Sequence, residues 1–231
     1  MSPDITEFLK AVLTYAPGII LAITLHEAAH GYVAWKLGDD TAYQLGRVTF
    51  NPLRHIDPMG TIILPAILVF TTGFMFGYAK PVPVNYRRLR QPRRDMVFVA
   101  AAGPATNLLI ALAAAVGLHL IPNTATPTTA LLAQMLGYCI LFNVIIGVFN
   151  MIPLPPLDGG RVAVGLLPNP LAYRLARLER YGMVILLIAL IGLPLIGNQI
   201  GVDLNVIWWI LRPIIDFVTE LVFLVTGNIA P

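Results

Sequence analysis

The sequence predicts an all-α polytopic membrane protein with about five to six membrane helices, a small interfacial β-hairpin and a re-entrant segment. Of its 231 residues, 57% are hydrophobic and only 12% are charged, whereas about a quarter of the residues of a soluble domain are charged. Several uncharged apolar runs are about 20 residues long, enough to cross a bilayer as a helix. Ten of the fifteen Lys and Arg residues lie in 80–94 and 161–180. Such clustering is typical of loops on one side of a membrane and argues against nucleic-acid binding.

The apolar runs and their breaks define the elements in chain order. Four runs are long enough to span and nearly free of charge in their apolar parts: 8–37, 96–121, 129–152 and 181–202. The tail at 203–227 has charged residues at helical spacing, so it is a last span or an amphipathic interfacial helix; the span is favoured. Without repeats or linkers, the chain is expected to form a single domain, 1–231, with a core at about 8–165 and C-terminal helices at 180–227.

Three segments separate the first two spans. Residues 41–58 mix Val, Thr and aromatic residues with Gly and Asn-Pro, which suggests a short interfacial hairpin. Residues 59–78 are uncharged and long enough to span, but glycine and proline interrupt them. Residues 78–85 are proline-spaced, which favours an extended conformation.

A His-Glu-x-x-His sequence, His26-Glu27-Ala28-Ala29-His30, lies in the otherwise apolar first helix. His26 and His30 are one turn apart on one face, so their imidazoles can converge on one ion. Glu27 lies about 100° round the helix from His26, which suits a carboxylate that takes a proton from water and returns it to a leaving amine. Burial of an acidic residue at mid-membrane costs about 2.5–3.5 kcal/mol, and a bound dication compensates for such groups. The alternative, histidines that hydrogen-bond neighbouring helices, leaves the glutamate unexplained.

A catalytic zinc site takes three protein ligands and keeps one position open, so a third ligand is needed. His55 lies among charged residues of the hairpin and His119 closes a span, so we expect both to be solvated or interfacial. Asp158 follows a long uncharged run, and the prolines before it prevent regular helix there. Gly159 and Gly160 after it permit close backbone approach. Asp158 is therefore the expected third ligand; the alternative is that it caps the following helix.

The sequence resembles the site-2 protease family of intramembrane zinc metalloproteases. Three segments carry the resemblance, which covers about residues 8–165: the His-Glu-x-x-His sequence, Gly-Pro-Ala-Thr-Asn at 103–107, and Asn-Met-Ile-Pro-Leu-Pro-Pro-Leu-Asp-Gly at 150–159. The resemblance implies peptide-bond cleavage within the transmembrane segments of single-span substrates. It also implies one zinc ion and four site residues: the ligands His26, His30 and Asp158, and the general base Glu27.

Two asparagines belong to the resembling segments. The resemblance implies that Asn150 holds the substrate backbone or the oxyanion. Asn107 has either a role in the site or one in hydrogen bonding between helices. Better-known branches of the family carry a PDZ insertion or a C-terminal regulatory domain, for which this chain has no room.

One zinc ion can bridge the first helix and the end of the 129–152 helix only if these helices run in the same direction. The segment 59–78 is therefore expected to enter the membrane and return. Both basic stretches then lie in the cytoplasm, and the active site faces that side of a prokaryotic cell membrane. A locally unwound substrate is expected to pair with an edge strand at 41–58 or 78–85.

Two rival functions use the same residues. A transporter of metal ions or protons uses intramembrane His, Glu and Asp as a relay, and it tolerates Glu27→Gln, which a protease does not. An inactive membrane scaffold is the weaker rival, because every expected ligand and the base are present. Substrate identity and oligomeric state stay open.

Overall fold

The structure is a computed structural model that describes residues 5–72, 77–122, 124 and 126–228. Within these ranges all regular secondary structure is helical and no strand is formed. The α-helices are α1 (Ile5–Lys36), α2 (Thr41–Gln44), α3 (Leu64–Thr72), α4 (Pro92–Leu118), α5 (Pro127–Asn150), α6 (Asp158–Leu166), α7 (Asn169–Ala176), α8 (Glu179–Leu187), α9 (Leu193–Ile200) and α10 (Val206–Thr226). The π-helical turns Pro58–Ile63 and Ile188–Gly192 precede α3 and join α8 to α9, and 3₁₀ turns form at Pro52–Arg54 and Tyr86–Arg88.

Four segments of the described chain are long and apolar enough to cross a membrane: Leu9–Lys36, Pro92–Leu118, Pro127–Asn150 and Glu179–Ile200. These correspond to the four predicted apolar runs, but the predicted total of five to six membrane helices is not supported. The helix α10 carries Arg212, Asp216 and Glu220 on its exposed surface, and such groups are costly in lipid. The part of 59–78 that the structure describes as helical is also too short to count as a span.

The bundle core is formed by α1, α4 and α5, which pack against one another, and α10 packs onto α4 and α5. Near the start of α1, the Tyr15 ring contacts the Tyr138 ring of α5 at a centroid distance of 4.4 Å. A Cβ added to Gly18 would lie 2.9 Å from Cα of Cys139, so a glycine is needed for this close approach. Further along, His26 in the second half of α1 and Phe149 and Asn150 at the end of α5 border the same cavity. The helices α1 and α5 therefore run in the same direction, as predicted.

The connection from α1 to α4 starts and finishes at one end of the bundle. The Arg90 N–H, just before α4, donates to the Leu37 carbonyl just after α1 (3.2 Å). Within the connection, the Tyr78 N–H donates to the Gly60 carbonyl (3.0 Å), so the ends of the 59–78 segment lie side by side. The segment makes no net crossing of the bundle. Its residues 73–76 lie outside the described residues.

The β-hairpin predicted at 41–58 is wrong. The described chain there forms the short helix α2 and one 3₁₀ turn. Side chains satisfy its backbone donors locally: Asp39 Oδ1 accepts from the Thr41 N–H (3.1 Å), and Asn51 Oδ1 accepts from the Leu53 N–H (3.1 Å). Such side-chain turns compete with strand pairing, which explains why the Val, Thr and aromatic content of this stretch was misleading.

Candidate metal centre

Three buried side chains that were predicted to bind a metal meet inside the bundle. Nε2 of His26 lies 3.1 Å from Oδ2 of Asp158, and Nε2 of His30 lies 3.3 Å from the same oxygen. One possible ligand atom from each residue lies within 4.8 Å of the others. The histidines come from α1, as their spacing requires, and Asp158 is the first residue of α6. The contact joins residues that are 128 or more positions apart in the chain.

Helix α4 orients both imidazoles. Nδ1 of His26 lies 2.6 Å from Oδ1 of Asn107, and Nδ1 of His30 lies 2.7 Å from the main-chain carbonyl oxygen of Val99. Because both partners are acceptors, each Nδ1 carries the proton in the neutral ring and each Nε2 presents a lone pair towards Asp158. Fixing the second ring nitrogen in this way is what proteins do for metal-binding histidines.

A glycine on α4 makes room for the centre. A Cβ built on Gly103 would lie 2.6 Å from Nε2 of His26 and 2.6 Å from Nε2 of His30. These separations are far below van der Waals contact, so a side chain at this position displaces one or both rings. The backbone of α4 therefore forms one wall of the candidate site.

The turn before Asp158 is packed equally closely. A Cβ on Gly159 would lie 2.2 Å from the Met151 carbonyl oxygen, and one on Gly160 would lie 2.2 Å from the Pro155 nitrogen. Both glycines therefore permit the close approach that was predicted from their sequence. The alternative of Asp158 as a helix cap is not what forms: Leu157 occupies the cap position, and the Asp158 side chain faces the imidazoles.

The electronic character of this cluster fits a cation. Among the described residues, Oδ2 of Asp158 is buried without a hydrogen-bond donor, although two imidazole nitrogens lie beside it. Two lone pairs and a carboxylate that converge away from water are destabilising unless a positive charge lies between them. Two nitrogens and one oxygen form a donor set that suits zinc, and three protein ligands leave a position open for chemistry. The residues present therefore fit a catalytic zinc ion.

A cavity of about 850 Å³ adjoins the cluster. Its wall includes Glu27 and Asn150, six of the extended residues between 77 and 84, and apolar side chains of α8 and α10. The amide nitrogen of Asn150 donates to the Ile146 carbonyl of its own helix (3.0 Å). A mostly apolar cleft with a few polar groups is the usual form of a ligand site, so all the predicted site residues border one such space.

The carboxylate of Glu27 is held by the extended segment 78–85. Its Oε2 accepts a hydrogen bond from the Val82 N–H (2.8 Å). The segment is itself anchored elsewhere, because the Lys80 carbonyl accepts from Nη2 of Arg47 (2.7 Å) and the Lys80 N–H donates to the His55 carbonyl (2.9 Å). The segment is thus extended as predicted, but side chains and loop carbonyls bind it in place of a neighbouring strand.

The two remaining histidines are not in the cluster, and one prediction about them is wrong. His55 is only 2% exposed, and its Nε2 lies 3.1 Å from the Thr49 carbonyl oxygen. It is buried, and not solvated, because the 49–57 turn lies against the extended segment. His119 is exposed and contacts the Thr226 carbonyl through Nε2 (2.8 Å).

Sequence reasoning missed several groups that support the site. The Val99 carbonyl and the Val82 N–H are main-chain groups. Every residue has such a carbonyl and every residue except proline has such an N–H, so no sequence signal marks these two. Asn143, which contacts Asn107 (2.9 Å), is different. An amide in the middle of an uncharged span is itself unusual and is the signal that would have found it. Asn107 contacts both His26 and another helix, so the two alternatives considered for it coincide.

The sequence is similar to a family model and to several known proteins. The model described as Peptidase family M50 matches residues 120–191. The chain is 39% identical over 178 residues to "Putative zinc metalloprotease YwhC" of Bacillus subtilis, covering 74% of this chain and 76% of that protein. It is 31% identical over 177 residues to "Putative zinc metalloprotease Rip2" of Mycolicibacterium smegmatis, covering 75% of this chain and 65% of that protein. No solved structure matches the chain significantly. The similarity to YwhC over most of both chains shows that this integral membrane protein belongs to peptidase family M50, the zinc metalloproteases of the site-2 protease type.

Proposed function

We propose that this chain hydrolyses peptide bonds within the transmembrane segments of single-span membrane proteins, in regulated intramembrane proteolysis, with one zinc ion per chain. The position of the candidate metal centre supports this most directly. His26 and His30 lie within a helix long enough to span, and Asp158 follows closely after another. These three residues are buried among helices, where a peptide within the membrane can reach them more easily than a soluble peptide can.

The residues divide the chemistry between them. When bound, zinc supplies a Lewis acid that acidifies water and polarises a carbonyl oxygen. Glu27 accepts the proton of the attacking water and delivers it to the departing nitrogen. The hydrogen bond from Val82 engages one oxygen of this carboxylate and leaves the other for the proton. Asn150, which borders the same cavity, holds the substrate backbone or the developing oxyanion.

Metal removal tests this function. Treatment of the detergent-purified chain with a zinc chelator is expected to lower cleavage of a single-span substrate by about a thousandfold or more, because several kcal/mol of charge stabilisation are lost. One equivalent of zinc is expected to restore it. The measurement is product formation by mass spectrometry, with zinc content determined on the same samples. A chain that binds zinc, cleaves nothing and carries zinc across vesicle membranes would instead be the transporter.

The extended segment 78–85 offers an edge for an unwound substrate. In an extended chain, alternate residues point their N–H and C=O groups to opposite sides. Tyr78, Lys80 and Val82 bond to groups of the protein, so Ala79 and Pro81 present their main-chain groups to the other side. All of these residues except Lys80 border the cavity. On that other side, Ala79 and Pro81 each offer a carbonyl, but only Ala79 offers an N–H. We infer that the substrate binds as an added strand that mainly donates hydrogen bonds.

A proline at position 79 tests the strand pairing. Ala79→Pro removes the N–H on the cavity side and is expected to lower kcat/KM about fivefold, as one lost hydrogen bond of about 1 kcal/mol requires. Ala79→Val retains the N–H and is the matched control. The measurement is the initial rate of cleavage at several substrate concentrations. Equal rates for the two variants would contradict pairing at this edge.

The shared direction of α1 and α5 supports a re-entrant 59–78, and we propose that the active site faces the cytoplasm of a prokaryotic cell. We propose that the basic stretches lie on that side, as charge asymmetry favours. In a Cys139→Ala background, Asp40→Cys and Asn85→Cys are expected to resist an impermeant thiol reagent in intact cells. Thr124→Cys, in the loop after α4, is expected to react. Labelling of positions 40 and 85 from opposite sides would overturn the re-entrant arrangement.

A further inference from the structure

Two asparagines that link the three core helices have side chains completely removed from solvent. Asn107 on α4 and Asn143 on α5 are each 0% exposed. Nδ2 of Asn107 donates to the Ala22 carbonyl of α1 (3.1 Å) and to Oδ1 of Asn143 (2.9 Å). Nδ2 of Asn143 donates to the Cys139 carbonyl of its own helix (2.8 Å). The proposed reaction itself has no use for Asn143, which does not border the cavity.

Only one assignment of donors and acceptors, and so only one orientation of each amide, satisfies all of these hydrogen bonds. The Cys139 carbonyl can only accept, so the NH₂ group of Asn143 faces it, and Oδ1 of Asn143 is left to accept from Asn107. The NH₂ group of Asn107 is then committed to two acceptors, and its Oδ1 faces His26. A reversed Asn107 amide would set its oxygen against the Ala22 carbonyl and its NH₂ group against Nδ1 of His26. The orientation is thus assigned by the network.

The two metal-binding histidines differ in how their tautomer is secured. His30 faces the main-chain carbonyl of Val99, which cannot rotate within a helix. His26 faces a side-chain amide, whose two ends have nearly the same shape and opposite hydrogen-bonding character. An amide in this position selects one tautomer only if something else prevents its reversal. The Ala22 carbonyl and Oδ1 of Asn143 both do this, because each accepts from Nδ2 of Asn107; of the two, only Asn143 is a side chain that can be substituted.

We propose that Asn143 is a positioning residue for the metal centre: it holds the Asn107 amide with Oδ1 towards His26, which places the His26 proton on Nδ1 and leaves Nε2 free to bind zinc. This inference rests on the proposed function insofar as Nε2 of His26 is taken as a zinc ligand. The orienting effect passes through two hydrogen bonds, from Asn143 on α5 to Asn107 on α4 and from Asn107 to His26 on α1. The competing explanation is that Asn143 only stabilises helix packing.

Zinc affinity separates the two explanations. Asn143→Leu keeps the number and branching of the side-chain heavy atoms but removes the hydrogen bonds to Asn107 and Cys139. We expect a loss of zinc affinity of about tenfold, the lower end of the effect of losing a partner that orients a ligand directly, because the Ala22 carbonyl still holds Asn107. Asn143→Asp is the conservative variant. A buried carboxyl stays protonated, so it can donate to the Cys139 carbonyl and accept from Asn107, and affinity should return close to that of the unaltered chain. The measurement is competition with a chelator for zinc, in detergent and without substrate.

A packing control and a double variant sharpen the result. Val144→Ala removes two methyl groups from a buried residue, 2% exposed, that follows Asn143 in α5. It is expected to lower thermal stability without lowering zinc affinity. If Asn143 acts through Asn107, then Asn107→Leu and the double variant Asn107→Leu/Asn143→Leu should bind zinc equally weakly. Additive losses in the double variant, or an equal loss in Val144→Ala, would overturn the proposal.

The tautomer itself can be observed in the zinc-free chain. With ¹⁵N-labelled histidine, His26 is expected to show a protonated Nδ1 and a bare Nε2, its signals being identified by their absence in His26→Gln. A proton on Nε2 in the unaltered chain would refute the proposal even if Asn143→Leu fails to fold. A chain with the expected tautomer and tight zinc binding that cleaves no peptide would refute the proposed function alone.

Discussion

Glu27→Gln is expected to lower turnover by about 10²–10⁴-fold, the usual contribution of a general acid–base residue, while zinc binding is retained. The amide cannot take a proton from water at neutral pH, but its oxygen can still accept the hydrogen bond from the Val82 N–H that Glu27 accepts at 2.8 Å. The cavity and the ligands therefore stay in place. The measurement is the single-turnover cleavage rate of a single-span substrate, with zinc content determined on the same preparation.

The control for this variant is Glu220→Gln, which changes the same functional group on the exposed surface of α10 and is expected to leave turnover unaltered. Loss of zinc together with activity would make Glu27 a ligand, and not a base. Full activity in Glu27→Gln would exclude the proposed proton transfer. It would instead favour a transporter that uses these residues as a relay for protons or metal ions.

Gly103→Ala is expected to abolish zinc binding at the centre, or to weaken it by about 100-fold or more, the upper range for groups that orient ligands. The added Cβ would lie 2.6 Å from both Nε2 atoms, in the space where the metal and its ligands must meet. Packed helices do not yield easily to such overlap. The measurement is zinc affinity by chelator competition, followed by the cleavage rate at saturating zinc.

The matched control is Gly137→Ala. A Cβ at Gly137 on α5 would meet no described atom within 4 Å, so this variant changes the same residue type in a neighbouring spanning helix without contact. It is expected to bind zinc normally and to be slightly more stable, since alanine is the better helix former by about 1 kcal/mol. Normal zinc affinity in Gly103→Ala would show that α4 can move away, and it would contradict a rigid wall at this position.

The predictions that agree with the structure depend on local patterns. His26 and His30 share a face because their spacing equals one helical turn, and this holds wherever the helix packs. The spans follow from hydropathy over about 20 neighbouring residues. The proximity of Asp158 to the imidazoles agrees with its context, since a carboxylate after a long uncharged run needs a partner. The parallel direction of α1 and α5 then followed from the requirement that one ion contact both ends.

The predictions that disagree with the structure depended on tertiary contacts. The content of 41–58 suited a strand, but the Asp39 and Asn51 side chains satisfy its donors locally. His55 lies between charged neighbours in the sequence, and yet the turn that carries it is covered by the extended segment. The tail was favoured as a span over an amphipathic interfacial helix, but α10 carries three exposed charged residues and is not among the described helices that are apolar enough to span.

The order of amino acids alone established a membrane protein built of helices, with two imidazoles and a carboxylate as its expected ligands. These properties depend on residues close together in the chain, or on one group too costly to bury without a partner. Only the packing of α1, α4 and α5 decided that the Val99 carbonyl contacts one imidazole and that the other is joined to Asn143 through Asn107. The position of the extended segment decided that the Val82 N–H contacts Glu27. Main-chain donors and acceptors occur almost everywhere along a chain, and which of them meet a side chain is decided when the helices come together.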